Sequence, residues 1–304
     1  MKNTLNNSGY ILLLQSFKEW LQLLNYSGFS IQPLTNSVRD FLLYQEENNK
    51  LVLEQLAATD ANEFMLQLQQ QTGKRTKKPF SSGHINKQIQ ALKLFSRYLR
   101  ETGRSNTGFI LQRMEERRSK PVWLTKEEIQ RLYEATEAPP SGGWGALGIR
   151  DKAMLAVFYG CGLRLNEGAS IELKDIDATQ KILHVRKGKH YKERFVPVAD
   201  KNLEAIQLYI DYARPQLLQQ IRTDRLFIAA LKGRPIHKQS LYIRIKTLVK
   251  RAEIKKRVGT HTLRHSIATH LLQSGMKLER IQQFLGHGNL DSTQIYTHLL
   301  NEMP

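Results

Sequence analysis

Apolar residues recur at close to helical spacing through the first hundred positions. Leu13, Phe17, Trp20 and Leu24 form one stripe and predict a helix over Tyr10–Leu24. Ser37–Glu47 is predicted as a second, with Val38, Phe41 and Leu42 inward. Thr59 reads as the N-cap of a third, with Glu63 in its first turn. Ser81–Arg100 is the fourth and carries Ile85, Ile89, Leu92, Phe95 and Leu99 on one side. The period is then lost across Glu101–Val122, where turn formers and charged residues fit an exposed connection. It resumes at Thr125-Lys126-Glu127-Glu128, a capping box, with Leu124 and Ile129 placed as a hydrophobic staple. Further helices are predicted over Arg150–Gly160, Arg164–Leu173, Asn202–Tyr212, Lys238–Ala252, His261–Gln273, Leu278–Phe284 and Ser292–Leu300. Pro139–Gly143 breaks the chain between them. Lys181–Arg186 and Arg194–Val198 read as two strands around the polar turn Lys187–Glu193, and Leu226–Ile228 as strand or loop. The expected fold is mainly α: a helical domain over 1–105, a linker over 106–122, and a mostly helical domain over 123–304 with a small antiparallel sheet.

The 304 residues, 35.1 kDa, suit two such domains. Hydrophobic residues at 40% and a mean hydropathy of −0.46 describe a soluble chain with no membrane partner. No apolar run approaches the ~18 residues of a membrane span. The run Tyr10–Leu14 follows a Ser/Asn-rich start and soon meets Lys18 and Glu19, unlike a signal peptide. One cysteine, Cys161, excludes an internal disulfide and a zinc site of several thiolates. A cytoplasmic location is expected.

Charge narrows the partner. Lys and Arg number 46 against 28 Asp and Glu, a net +18, which favours a polyanion, most simply nucleic acid. Residues 1–70 carry a net −3, residues 71–122 a net +10 and residues 123–304 a net +11. The step begins at Lys74, Arg75, Lys77 and Lys78 and continues along the fourth helix at Lys87, Lys93 and Arg97. A solvated basic face would account for the helix alone. The abrupt step favours a face laid along a DNA backbone, and these seven residues are the candidate DNA contacts.

Candidate chemistry lies in the second domain. No phosphate-binding glycine loop is present. His261 and His265 are four apart, but Thr262 stands where a zinc-protease helix needs Glu, and Asp291 is almost alone near the histidine-rich end, so no metal site is expected. His261 and Arg264 share one helical face near its N-terminus, which suits either a phosphate or a polar surface. His287 sits in the turn Leu285-Gly286-His287-Gly288, and Tyr296 nine residues on fits a core tyrosine as well as a reactive one. Arg164 and Glu167 are spaced to pair on one helix. Gly188–Arg194 is a basic hairpin turn that a solvated loop would also explain.

Together and in order, these motifs resemble one family. Gly162-Leu-Arg-x-x-Glu167, the hairpin from Gly188-Lys189 to Lys192-Glu193-Arg194, His261-x-x-Arg264-His265, Leu285-Gly-His287 and Thr293-x-x-Tyr296-Thr-His298 are similar to the tyrosine recombinases. The XerC/XerD and integron-integrase branch is the nearest in pattern. The resemblance implies that Tyr296 attacks a DNA phosphodiester and forms a 3′-phosphotyrosyl link. It implies that Arg164 and Arg264 hold the non-bridging oxygens and that Lys189 protonates the leaving 5′-oxygen. His261 would act in proton transfer, His287 would hydrogen-bond the phosphate, and Glu167 would support the site. It further implies duplex DNA sites as partners, a homotetramer on paired sites, room for a second recombinase or accessory protein, and a nucleoid-associated location. The first domain would be a DNA clamp.

Elementary chemistry agrees. A phosphodiester transition state gains negative charge, and two guanidiniums can clamp its oxygens. A lysine can supply the leaving group's proton if a cationic site lowers its pKa. The covalent link retains the bond energy of the cleaved strand, so rejoining requires neither ATP nor metal, and no cofactor is expected. Two alternatives remain: a type IB topoisomerase-like strand-passage enzyme, and a non-catalytic DNA-binding relative.

Overall fold

Side-chain caps set where the helices of the first unit begin. Asn7 Oδ1 accepts the Tyr10 N–H at 2.9 Å ahead of α1 (Ser8–Leu23). Ser27 Oγ accepts the Ser30 N–H at 3.2 Å ahead of α2 (Gly28–Glu47). Ser81 Oγ accepts the His84 N–H at 3.2 Å ahead of α4 (Ser82–Glu101). Each removes one orphan donor of a helix terminus. The structure is a computed structural model and describes residues 4–73, 77–116, 121–137, 145–186, 193–230 and 233–286. It divides into two units, Met1–Ser119 and Lys120–Pro304.

Helix α2 starts well before the expected Ser37. Pro33 lies inside it, where its missing N–H costs one ladder bond without stopping the helix. Thr59 precedes α3 (Asp60–Gln70) but makes no side-chain cap. Asp60, the first residue of the helix, instead ties back the preceding segment: its carboxylate accepts the Ala57 N–H at 3.0 Å and pairs with Lys50 at 2.5 Å. Phe17, Phe41, Phe64, Leu92 and Phe95 form the centre of this unit's core. Residues expected to be linker join that core. Phe109 and Leu111 are buried in it, and Asn86 binds the Met114 carbonyl and amide at 3.0 and 2.8 Å.

The second unit opens with the capping box in place. Thr125 Oγ1 accepts the Glu128 N–H at 3.2 Å and Glu128 Oε2 accepts the Thr125 N–H at 2.8 Å, ahead of α5 (Lys126–Glu134). Helix α6 (Gly145–Leu155) continues through a π turn, Ala156–Gly160, and α7 (Leu165–Ser170) follows. The sheet has three antiparallel strands, β1 (Ile176–Asp177), β2 (Ile182–Val185) and β3 (Arg194–Pro197), in that order. The two expected strands are β2 and β3, with Leu183 opposite Val196 and Val185 opposite Arg194. Helix α8 (Asp200–Leu208) runs through a second π turn, Tyr209–Ala213, into α9 (Arg214–Leu218). Leu226–Ile228 is buried and outside the sheet, with an isolated bridge from Ile228 to Pro235. Helices α10 (Lys238–Arg251), α11 (Thr260–Gln273) and α12 (Leu278–Leu285) complete the described part. The break at Pro139–Gly143, the turn residues 187–192 and the helix expected over Ser292–Leu300 lie outside the described residues. No described helix is long and apolar enough to cross a membrane.

Candidate active site

The site is built on the first turn of α7, the first turn of α11 and the last turn of α12. Arg164 is the N-cap residue of α7, and Glu167 Oε2 reaches back to accept its backbone N–H at 2.9 Å. The same carboxylate accepts Arg164 Nη1 at 2.8 Å. Glu167 is buried, so this is not the surface ion pair that the spacing alone allowed.

Helix α11 is fastened along its length. Gly259 N–H donates to Thr262 Oγ1 at 3.2 Å at its start. Leu124 N–H donates to Ser266 Oγ at 2.8 Å, and Tyr159 Oη meets His270 Nδ1 at 2.9 Å. Arg264, one turn in, is buried at 4% exposure, which rules out a polar surface face. Its Nη1 donates to the Gly162 carbonyl at 2.6 Å and its Nη2 to the Leu285 carbonyl at 2.5 Å.

Three arginines converge on the end of α12. Besides Arg264 on Leu285, Arg194 Nε donates to the Phe284 carbonyl at 3.0 Å and Arg164 Nη2 to the Gly286 carbonyl at 3.2 Å. The C-terminal carbonyls of a helix carry its negative dipole end, so cations belong there. Gly286 ends α12 with φ +65°, the left-handed conformation for which glycine has no steric cost. The chain thus leaves this cradle one residue before His287.

Arg194 also grips Glu167, Nη1 to Oε1 at 3.1 Å and Nη2 to Oε2 at 2.9 Å. Burial opposes ionisation of Glu167, but the hydrogen bonds and charge of Arg194, then the amide and guanidinium of Arg164, outweigh it and hold its pKa at about 2. Three guanidiniums against one carboxylate leave a net positive site. Sequence reasoning gave Arg194 no role. Its signal was a charged residue in the inward phase of a strand, since Arg194 and Val196 are buried while Phe195 and Pro197 are exposed.

His261 keeps solvent contact at the start of α11. Its pKa lies below 6.5 because partial burial and the charges of Arg264 and Arg164 disfavour the imidazolium. A neutral imidazole beside two arginines can accept a proton while they bind an anion. His265 is lowered in the same direction by burial, His261 and Arg264.

Arg164, Glu167, His261 and Arg264 are therefore brought together. Lys189, His287 and Tyr296 lie outside the described residues, as do Lys74 and Arg75. Lys77 and Lys78 are exposed; Gly73 N–H donates to the Lys78 carbonyl and Lys77 N–H to the Gly73 carbonyl. Lys87, Lys93 and Arg97 are exposed along α4. Arg97 also pairs with Glu101 at 2.7 Å and lies over the Trp20 ring.

The phage integrase family model matches residues 122–303. The chain belongs to the phage integrase family. All seven residues from Arg164 to Tyr296 with an expected role in the reaction fall inside that match, and the candidate DNA contacts from Lys74 to Arg97 fall outside it. This family member is 31% identical over 292 residues to the tyrosine recombinase XerC of Bacillus subtilis (strain 168), across 94% of this chain and 91% of that one. It is 38% identical over 182 residues to the tyrosine recombinase XerD of Staphylococcus saprophyticus subsp. saprophyticus, across 60% and 59%. It matches the crystal structure of XerA recombinase with a TM-score of 0.52 at 28% identity, across 97% of both chains. It shares the fold of XerH site-specific recombinase bound to difH substrate, with a TM-score of 0.71 at 21% identity, across 96% of this chain and 83% of that one.

Proposed function

We propose that this phage integrase family member is a site-specific DNA recombinase that cleaves and rejoins duplex DNA through a 3′-phosphotyrosyl link. The observation that carries the reading is the convergence of Arg164 and Arg264, from separate helices, on the Gly162 and Leu285–Gly286 carbonyls beside a neutral His261. Two guanidiniums at fixed spacing suit the non-bridging oxygens of one phosphate. Tyr296 Oη attacks phosphorus as the bond to the 5′-oxygen breaks. His261 takes the phenol proton, Lys189 gives a proton to the departing 5′-oxygen, and His287 hydrogen-bonds the phosphate. Glu167 holds Arg164 in place. Rejoining is the reverse, with a 5′-hydroxyl as nucleophile, and consumes no cofactor. The partners are duplex recombination sites, paired in a homotetramer, with a second recombinase or accessory protein able to take part. A nucleoid-associated cytoplasmic location follows from that substrate.

The test is Tyr296→Phe on a nicked suicide site, resolved on a denaturing gel. DNA binding persists and the covalent band disappears, while the unaltered protein keeps its band in excess EDTA. A persistent band would move the nucleophile to Tyr191 or to Tyr242, which lies half-buried with Lys246 over its ring. Recombination between paired sites, run beside relaxation of a supercoiled plasmid, separates this reading from a topoisomerase.

A further inference from the structure

Arg194 ties together three parts of the site. At 7% side-chain exposure it forms a bidentate pair with Glu167 and donates Nε to the Phe284 carbonyl. It opens β3, five residues after Lys189 in the chain. A Cβ on Gly286 would stand only 2.8 Å from Arg194 Cδ and 2.9 Å from Nη1, so the guanidinium packs directly on the turn that leads to His287.

The sharing of Glu167 matters for Arg164. A buried carboxylate needs its charge balanced and its lone pairs filled. Arg194 supplies two parallel hydrogen bonds to Glu167, which also accepts Nη1 and the backbone amide of Arg164, while Arg164 Nη2 reaches the Gly286 carbonyl. Without Arg194 the carboxylate would draw the Arg164 guanidinium into a bidentate pair of its own, turning it off that carbonyl.

We propose that Arg194 is a positioning residue for strand cleavage: by sharing Glu167 with Arg164 and holding the Phe284 carbonyl, it fixes the geometry in which Arg164 meets the scissile phosphate. This rests on the assignment of Arg164 to that phosphate, and a parallel Arg164→Lys variant separates the two ideas.

The experiment compares Arg194→Gln, Arg194→Lys and the charge-balanced double variant Arg194→Gln with Glu167→Gln. Each is measured for melting temperature, for affinity to a duplex site and for single-turnover cleavage of a nicked suicide site. The double variant removes both buried charges at once and is read against Glu167→Gln alone, so that where Arg194→Gln does not fold, a double variant slower than Glu167→Gln still supports the role of Arg194 and an equal rate overturns it. The expected result is undiminished binding with cleavage about 100-fold slower in both variants carrying Arg194→Gln, the scale of a displacement near 1 Å at a reacting centre. Arg194→Lys, which restores the charge but not the fork, recovers part of the rate at an unchanged melting temperature. Wild-type cleavage in a folded, DNA-binding Arg194→Gln variant overturns the proposal, as does a rate that follows melting temperature across the set. Arg164→Lys cleaving at the wild-type rate would instead overturn the phosphate assignment itself.

Discussion

Gly162 and Leu285 are joined by one guanidinium and by direct packing. Arg264 donates to both of their carbonyls, at 2.6 and 2.5 Å. A Cβ on Gly162 would stand 2.8 Å from Leu285 Cδ2, and Gly162 has φ +62°. The loop before α7 and the end of α12 therefore share a fixed distance, and Arg164 and Arg264 are aimed by the same contact.

Gly162→Ala is expected to lower stability by about 2–4 kcal/mol, combining a left-handed backbone with an overpacked core. It should lower cleavage further than the unfolded fraction explains, because the methyl group pushes on the turn that Arg164 and Arg264 hold. Urea unfolding and single-turnover cleavage on folded protein check both halves. A normal cleavage rate in the folded variant would show that this contact does not set the site.

Glu167 predicts an acid limb in stability. Its folded pKa of about 2 is depressed from 4.5. Its contribution is thus complete above about pH 4.5 and is lost as pH falls from there through about 2. At neutral pH, Glu167→Gln leaves Arg194 and Arg164 without their anion and costs about 3–5 kcal/mol. The variant and the wild type should therefore approach one another from about pH 4.5 downward and come together near pH 2. Unfolding free energies across pH 2–7 test this, and parallel curves would remove Glu167 from the acid response.

His261 predicts a second acid limb, this one in rate. In its proposed role as proton acceptor it would work only when neutral, so cleavage should rise with pH through its pKa and level off above it. That pKa lies below 6.5, lowered by burial and then by Arg264 and Arg164, so the protein should retain cleavage at mildly acidic pH. The pH–rate profile of His261→Gln should lose this limb and run low and flat. A limb that survives the substitution belongs to another group.

Long, strongly periodic segments were legible in the sequence, and local devices were not. The stripe of Ile85, Ile89, Leu92, Phe95 and Leu99 fixed α4 to within one residue at each end, because burial demands that spacing. The early start of α2 was hidden by Pro33, whose penalty a packed helix absorbs. The π turns at Ala156–Gly160 and Tyr209–Ala213 leave no period to read in five residues, and β1 has only two. In the site, the spacing of Arg164 and Glu167 and of His261 and Arg264 was legible because each pair lies on a single helix start. The third arginine was not, since Arg194 meets Glu167 only through the tertiary fold.

The candidate DNA contacts divide by what already occupies them. Lys77, Lys78, Lys87 and Lys93 are exposed, while Arg97 is engaged by Glu101 and Trp20. A phosphate contact releases counterions, and each one lost should flatten the log–log salt dependence of binding by about 0.9. Changing the four lysines together to Gln should therefore flatten the slope by roughly 3–4, equally on specific and random DNA. Arg97→Gln should change it less than any one lysine, since a guanidinium must leave its carboxylate to reach a phosphate. Affinity measured from low to moderate salt decides the matter. An unchanged slope in the fourfold variant would make this face a solvated one, and the DNA contacts would then lie on the second unit.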